Sequence, residues 1–316
     1  MLTVGLSVAA APAVGQSADA ADADAADVPG REGTSPPVEL SLNTAGRYTF
    51  ESDFDGKEGH AAVTRVGGDL SVSAALSERW RLGLSVGYAF SEYEFTDLDL
   101  AVPGVSTDDP IDGLHTTSFG VSATYAINQE WSVTTAGGVR WDFESGADAW
   151  DAVTGSIGAS ANWRFSDRLI LGLGAGVGTR IEDDPRAFPF FFLRWELTDK
   201  LTLETRRIGF LDERAGVVAT YEICPMASVF VSAAYETREF RLADGDPALE
   251  DGVLRDSRVP VALGLEWKPA EGLVIALEGG IVAWEEYEFL DSSGGEITDV
   301  EGDLTAFVGG SIQYTF

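Results

Sequence analysis

From Val38 to Phe316 apolar residues recur at every second position, and no stretch holds the 3.6-residue period of a helix. In Trp131–Phe143 the residues Trp131, Val133, Val139, Trp141 and Phe143 share one face, and Ser132, Thr134, Ala136, Gly138, Arg140 and Asp142 share the other. The next segment sets Val153, Ile157, Ala159, Ala161, Trp163 and Phe165 against Thr154, Ser156, Gly158, Ser160, Asn162 and Arg164. The last sets Leu304, Ala306, Val308, Gly310, Ile312, Tyr314 and Phe316 against Asp303, Thr305, Gly309, Ser311, Gln313 and Thr315. Such alternation predicts strands with one apolar and one polar face.

The connections alternate in length. Six are tight turns between apolar or aromatic residues, at Leu76–Trp80, Ile127–Trp131, Phe165–Leu169, Leu197–Leu201, Ile223–Met226 and Trp267–Gly272. Seven are polar and acidic, near 51–60, 96–113, 144–149, 181–187, 209–213, 241–256 and 291–299. Together they join fourteen strands, with both termini on the short-turn side. The pair Leu201–Ile208 and Arg214–Ile223 carries the weakest alternation, interrupted by Arg206-Arg207; without it the count is twelve.

The polar face decides between a soluble and a membrane barrel. It carries Arg47, Arg65, Asp69, Arg140, Asp142, Arg164, Arg180, Arg194, Glu196, Glu222, Glu236, Arg238, Glu266 and Glu278, most of them in mid-strand. A dry soluble core would lose several kcal/mol for each such ion. A water-filled or fully paired lumen removes most of that cost. The apolar face stays free of charge over ~9–11 residues per strand, the length a tilted strand needs to cross a bilayer. Trp80, Trp131, Trp163, Trp195 and Trp267 stand at the short-turn ends, and Tyr48, Tyr88, Phe90, Trp141 and Phe143 near the long-loop ends. These predict two aromatic girdles at the headgroup levels. The expected fold is all-β, a transmembrane antiparallel up-and-down β-barrel over residues 38–316.

The N-terminus adds a compartment. Leu2–Ala11 is a short apolar run followed by the small-x-small pattern Ala13-Val14-Gly15. Residues 1–15 read as a signal peptide whose start is truncated, since a basic leader segment is missing. Residues 16–37 alternate Ala and Asp and reach Pro36-Pro37, with nothing to bury, and read as a flexible periplasmic linker.

Composition narrows the partners. Lys and Arg number 21 against 52 Asp and Glu, a formal net charge of −31, which excludes a nucleic-acid surface. A single Cys and two His rule out a disulfide framework and a multi-histidine zinc site.

The C-terminal Ile312-Gln-Tyr-Thr-Phe316, with Ile312, Tyr314 and Phe316 on one face, resembles the assembly signal of Gram-negative outer-membrane barrels. The stretches Phe165-Ser-Asp-Arg-Leu-Ile-Leu-Gly-Leu-Gly-Ala-Gly and Leu203-Glu-Thr-Arg-Arg resemble a family of uncharacterised bacterial outer-membrane barrels. The resemblance implies residence in the bacterial outer membrane, insertion by the barrel assembly machinery, and lipid and lipopolysaccharide as neighbours. It implies no substrate and no functional residues.

Three features bear on chemistry. Acidic stretches hold Glu92, Glu94, Asp97, Asp99, Asp108, Asp109 and Asp112, then Glu285, Glu286, Glu288, Asp291, Glu296, Asp299, Glu301 and Asp303. They suit a cation-attracting mouth or divalent bridges to lipopolysaccharide, and equally a plain solvated surface; no EF-hand spacing appears. Loop 96–113 carries Leu98, Leu100, Val102, Val105 and Ile111, and either folds inward as a constriction or lies over the mouth. Gly172, Gly174, Gly176 and Gly178 form a smooth strip that Phe190 and Phe192 can cover, a device of curved sheets. His60 and His115 lie near the loop side without a nucleophile-elbow motif, and Cys224 sits alone in a turn, so neither catalysis nor a cofactor is expected. The expected function is a porin-like passive channel for small polar solutes or ions with an acidic mouth. The alternatives are a non-conducting, adhesin-like barrel with a salt-bridged interior and, further off, a hydrophobic-substrate transporter.

Overall fold

A computed structural model describes residues 38–98, 110–206, 214–244 and 249–316. The signal and linker segments, Leu100, Val102, Val105, Asp99, Asp108 and Asp109 lie outside the described residues.

The strands are β1 (Val38–Asp53), β2 (His60–Ala75), β3 (Trp80–Thr96), β4 (Leu114–Ala126), β5 (Trp131–Glu144), β6 (Val153–Ser166), β7 (Leu169–Arg180), β8 (Asp183–Glu196), β9 (Leu201–Arg206), β10 (Arg214–Cys224), β11 (Ala227–Arg241), β12 (Val253–Ala270), β13 (Leu273–Leu290), β14 (Glu296–Gly302) and β15 (Thr305–Thr315). Each ring strand pairs antiparallel with its sequence neighbours; β15 pairs β1 on one side and β13 on the other, and closes the ring. The ring has fourteen strands, because β14 is a return strand that pairs only with the outer end of β13. The weakly alternating pair is present as β9 and β10, which settles fourteen over twelve.

Alternation sorts the faces as the pattern requires. On β3, Leu82, Leu84, Val86 and Tyr88 point outward and are exposed, while Ser85, Ala89 and Ser91 point inward and are buried. The apolar belt from Trp80 to Phe90 is about 25 Å tall for a tilted strand, matching a bilayer core. Trp80, Trp131, Trp195 and Trp267 are exposed at the short-turn rim, with Trp163 stacked on Trp131 at 5.7 Å. Ile312, Tyr314 and Phe316 face outward at the same rim.

Three stretches expected as long loops are more ordered than that. Residues 181–187 make only a tight turn at Ile181-Glu182 before β8 begins; residues 241–256 include the start of β12; residues 291–299 include the start of β14. Their charge density marks solvent exposure on one face, and the opposite face is buried against the barrel.

At the long-loop end the ring changes shape. Arg241 of β11 pairs in parallel with Phe143 of β5, across the strands that separate them in the sheet. This contact pinches off a ring of nine strands, β1–β5, β11–β13 and β15. The strands β6–β8 are displaced outward there and overlap the outer face of β11–β13. The β7–β8 turn docks on that face: Ile181 packs with Val253 and Leu290, Glu182 pairs with Arg241, and Asp183 pairs with Arg255 at 3.5 Å. The overlap explains why Ser257, on the outward face of β12, is only 5% exposed.

The glycine strip of β7 is covered by aromatic rings from β8, with Gly174 opposite Phe190 and Gly172 opposite Phe192. A Cβ at Gly174 would collide with the Phe190 ring and stand 2.7 Å from the Ala159 carbonyl oxygen. Backbone cannot yield as a side-chain tip can. Gly174→Val is therefore expected to lower stability by about 1–3 kcal/mol in urea unfolding of the micelle-bound barrel. A change within error of zero would contradict this packing.

Candidate functional site

Two compartments fill the long-loop end: a plug inside the small ring and a cleft inside the overlap.

The plug has two layers. The outer one is apolar, with Phe54, Val63, Tyr93, Phe95, Leu98, Ile111, Leu114, Phe240, Leu242, Leu249, Leu254, Tyr287, Phe289 and Val300 packed in one cluster. The strands here stand beyond the bilayer belt, so polarity inverts: on β3, Glu92 and Glu94 face solvent and Tyr93 and Phe95 face inward. Both described ends of the longest loop, Leu98 and Ile111, turn into this core. The loop's ends thus contribute to a closure rather than to a constriction around an open pore.

Beneath lies a layer of ions. Asp256 accepts from Arg258 at 2.7 and 2.8 Å, from the Tyr93 hydroxyl at 2.5 Å, and from Arg65. Arg47 joins Glu236 at 3.1 Å and Glu278 at 2.6 Å, and Arg65 also reaches Glu236 at 3.5 Å. Arg238 donates to the Ser91 hydroxyl at 3.2 Å, and the Tyr287 hydroxyl donates to Glu285 at 3.3 Å. Arg65 and Arg258 are each 1% exposed. Aromatic faces complete their surroundings: the Arg47 guanidinium lies 4.6 Å from the Phe307 ring centre and Arg258 5.9 Å from that of Tyr287.

Glu144 staples the rim. Its two oxygens accept the backbone N–H groups of Asp112 at 2.6 Å and Ala243 at 2.7 Å, tying two loops to the end of β5. Burial raises its pKa above the ordinary value, opposed by those two N–H groups.

The cleft lies between the inner face of β5–β8 and the outer face of β11–β13, with a volume of about 280 Å³. Arg140, Asp142, Thr154, Ser156, Gly178 and Arg186 line it from one side, and Tyr235, Thr237, Arg255, Ser257, Glu286 and Glu288 from the other. Arg255 lies 2.9 Å from Glu239 and 2.5 Å from Glu288, and Arg180 pairs with Glu239 and, at 2.5 Å, with Asp183. Arg140 grips Asp142 through two bonds of 2.7 Å. The walls are charged, nearly balanced in sign, and joined at one side by the Arg180–Glu239 pair.

The residues expected to line one lumen divide among three places. Arg47, Arg65, Glu236, Arg238 and Glu278 belong to the ion layer, and Arg140, Asp142 and Arg180 to the cleft. Asp69, Arg164, Arg194, Glu196, Glu222 and Glu266 lie lower: Asp69 stands opposite Asn43, Arg194 is 3.8 Å from Glu196, Glu266 accepts from Ser228 at 3.1 Å, and Glu222 is exposed at the short-turn rim. The sequence places Glu285 in the acidic loop set, whereas the structure buries it inside the ring at 1% exposure. A bulge accounts for this: Ala283 and Trp284 together oppose Val259, so the inward face of β13 passes from even to odd positions. Arg255 and Asp256 fall in the stretch 241–256 that the sequence assigns to a loop, with the i,i+2 spacing of Asp256 and Arg258 as the available signal; Glu239 stands on the outward face of β11 and gains its partners from the overlap with β7 and from Arg255. His115 faces outward, bonded to the Tyr88 hydroxyl at 2.8 Å and the Ser145 hydroxyl at 3.0 Å.

Residues 104–307 match a protein family described as a domain of unknown function, DUF6268. The chain belongs to the DUF6268 family. No functionally curated protein is detectably similar to this DUF6268 protein. Among solved structures it is similar to the COG4313 outer membrane channel of Pseudomonas putida F1, at 10% identity and a TM-score of 0.47, covering 91% of this chain and 99% of that one. The toluene transporter TodX of P. putida is similar at 10% identity and a TM-score of 0.44, over 89% and 91% of the two chains. LpxR from Salmonella typhimurium follows at 10% identity and a TM-score of 0.35, over 87% and 99%.

Two variants test the plug. Asp256→Asn removes the charge shared by Arg65 and Arg258, and is expected to cost about 3–5 kcal/mol in unfolding experiments, because buried cations lose their partner. A loss below about 1 kcal/mol would mean water reaches this layer. Glu144→Ala leaves two backbone donors unpaired and is expected to open loops 110–113 and 242–244 to limited proteolysis, with a cost of about 1–3 kcal/mol. An unchanged cleavage pattern would remove the staple from the account.

Proposed function

We propose that this protein is an outer-membrane channel for small solutes whose route leaves the barrel axis and follows the charged cleft. The observation that carries this reading is the pairing of a filled axis with an unfilled flank. The small ring is occupied by side chains through its apolar and ionic layers, whereas the flank beside it keeps a polar cleft. A charged, water-filled passage with opposed Arg and carboxylate walls selects ions by local electrostatics. The acidic outer surface raises cation concentration at its entrance. The N-terminal signal pattern, the outward-facing Phe316 and the two aromatic girdles support insertion into the outer membrane by the barrel assembly machinery, with the long loops outside. Divalent cations between exposed carboxylates and lipopolysaccharide phosphates fit the same orientation.

The ion layer favours a second reading, a closed barrel that presents its outer surface to a partner. One experiment separates the two. Single-channel recording of the refolded protein, in a Cys224→Ser background, should give discrete steps with a cation-biased reversal potential. Ser156→Cys, in the cleft, should lose most of that conductance on reaction with a charged methanethiosulfonate. Ser91→Cys, inside the plugged ring, should not. A folded, inserted barrel that never conducts overturns the channel in favour of the closed reading, and block at Ser91→Cys alone overturns the off-axis route.

A further inference from the structure

Two charges of the cleft stand outside its ion pairs. Arg140 is matched by Asp142, Arg180 by Glu239 and Asp183, and Arg255 by Glu239 and Glu288. Arg238 turns into the ring, toward the Ser91 hydroxyl. Arg186 on one wall and Glu286 on the other make no side-chain hydrogen bond or ion pair among the described residues, either with each other or with a third group.

The strand registers place these two charges at the same level. On one wall Arg186 stands opposite Gly178, Gly178 opposite Ser156, and Ser156 opposite Gly138, a single row across β8, β7, β6 and β5. On the other wall Thr237, Ser257 and Glu286 form a row across β11, β12 and β13, with the first two hydroxyls 3.2 Å apart. The next row outward on that wall is Glu239, Arg255 and Glu288. Arg180 lies two residues beyond Gly178 and pairs with Glu239, which lies two beyond Thr237. That contact sets the two inner rows face to face. Asp183 of β8 reaches Arg255 of β12, so β8 lies toward the β12–β13 side, and Arg186 and Glu286 share one end of the cleft. The glycines leave the wall recessed between them, and one step below, Tyr235 and Trp284 stack at 6.3 Å as an aromatic base.

Each end suits one sign of charge. Burial raises the Glu286 pKa, and the carboxylates of Glu288, Glu301 and Asp299 raise it further against the pull of Arg255. An ammonium group placed there relieves that repulsion and finds free carboxylate lone pairs. Arg186 offers a planar fork to a carboxylate. A simple anion at Arg186 would face Glu286, and a simple cation at Glu286 would face Arg186. A molecule bearing both charges satisfies both ends and adds no net charge to the cleft.

We infer that the cleft seats a small zwitterionic amino acid, with its carboxylate on Arg186, its ammonium on Glu286 and its carbon skeleton over the recessed, hydroxyl-lined rows. The inference rests on the off-axis route proposed above for passage of that solute, but not for its binding.

Binding is tested by saturation-transfer NMR on the full-length protein refolded in micelles. The probe is glycine, and its uncharged isomer glycolamide, of the same composition and size, is the comparison. Glycine should give a saturable signal and glycolamide none. Arg186→Gln and Glu286→Gln should each weaken glycine binding about tenfold, the loss of one charge-assisted contact. Neither substitution strips a partner from another side chain, so both barrels should fold. The exchanged pair, Arg186→Glu with Glu286→Arg, presents the same two charges in swapped places. Because glycine has no side chain to misplace, this double variant should recover binding to within about threefold of the parent, a coupling that a purely structural role would not produce. Equal binding of glycine and glycolamide, parent-like binding by either single variant, or a swapped pair no better than the singles overturns the assignment. Conductance blocked at Ser156→Cys without glycine binding retains the channel and removes the amino-acid seat. Glycine binding by an inserted barrel that does not conduct retains the seat and removes the route.

Discussion

A ring of fourteen strands is wider than side chains can fill, and a ring in lipid cannot be narrowed by deleting strands, since every ladder hydrogen bond is needed. The architecture meets both constraints at once. The ring stays at fourteen where the bilayer demands closure and narrows to nine beyond it, where β11 touches β5. Nine strands are close to the count whose interior side chains can occupy completely. Only because the ring narrows can the apolar core around Phe95 and Phe289 form; only because β6–β8 are displaced does a cleft exist.

The ion layer occupies the transition between these regimes. Below it the inward positions are small and polar, as at Ser71, Ser85 and Ser122; above it they are apolar. At the boundary the long Arg47, Arg65 and Arg258 side chains span the narrowing ring and bring their charge to Glu236, Asp256 and Glu278. Desolvated ion pairs add little net stability over apolar packing, and their loss one partner at a time is costly. Their geometry fixes which strands face one another, linking β1 and β2 to β11, β12 and β13 across the interior. That linkage holds the small ring in register while β6–β10 remain outside it.

Much of this fold was legible from the chain, and the failures have physical causes. Alternation located the ring strands and their faces; it was weakest over β9 and β10, where Arg206-Arg207 interrupts it and left the count between fourteen and twelve, and it read the start of the return strand β14 as loop. The division of the lumen was not legible. Alternation tells which face a residue takes in its own strand, not which distant strand that face meets, so Arg47 and Arg140 looked equivalent and lie in different compartments. Glu285 was misplaced because a two-residue bulge shifts the inward face, and no residue type announces a bulge there. The stretch Arg255-Asp256-Ser257-Arg258 alternates perfectly, but both of its faces are polar, so the usual contrast between apolar and polar positions vanished and it resembled a loop. Leu98 and Ile111 were correctly singled out as apolar residues in a polar loop, yet sequence could not say that they would join a core.

The same reasoning separates what the two compartments can do. In the plug, carboxylates meet guanidinium groups and a tyrosine hydroxyl, and the apolar residues meet one another in one core. The cleft differs because its walls come from layers that no strand ladder joins there among the described residues, and they meet through side chains such as Arg180 and Glu239. The outer face of β11–β13 is already saturated by its own ladders, and β6–β8 meet it at the β7–β8 turn and at the chain of Arg180, Glu239, Arg255 and Glu288. A contact made by one turn and a few ion pairs can open without unfolding either layer, whereas opening the plug would separate a continuous core. Any motion that admits a solute therefore belongs to β6–β8.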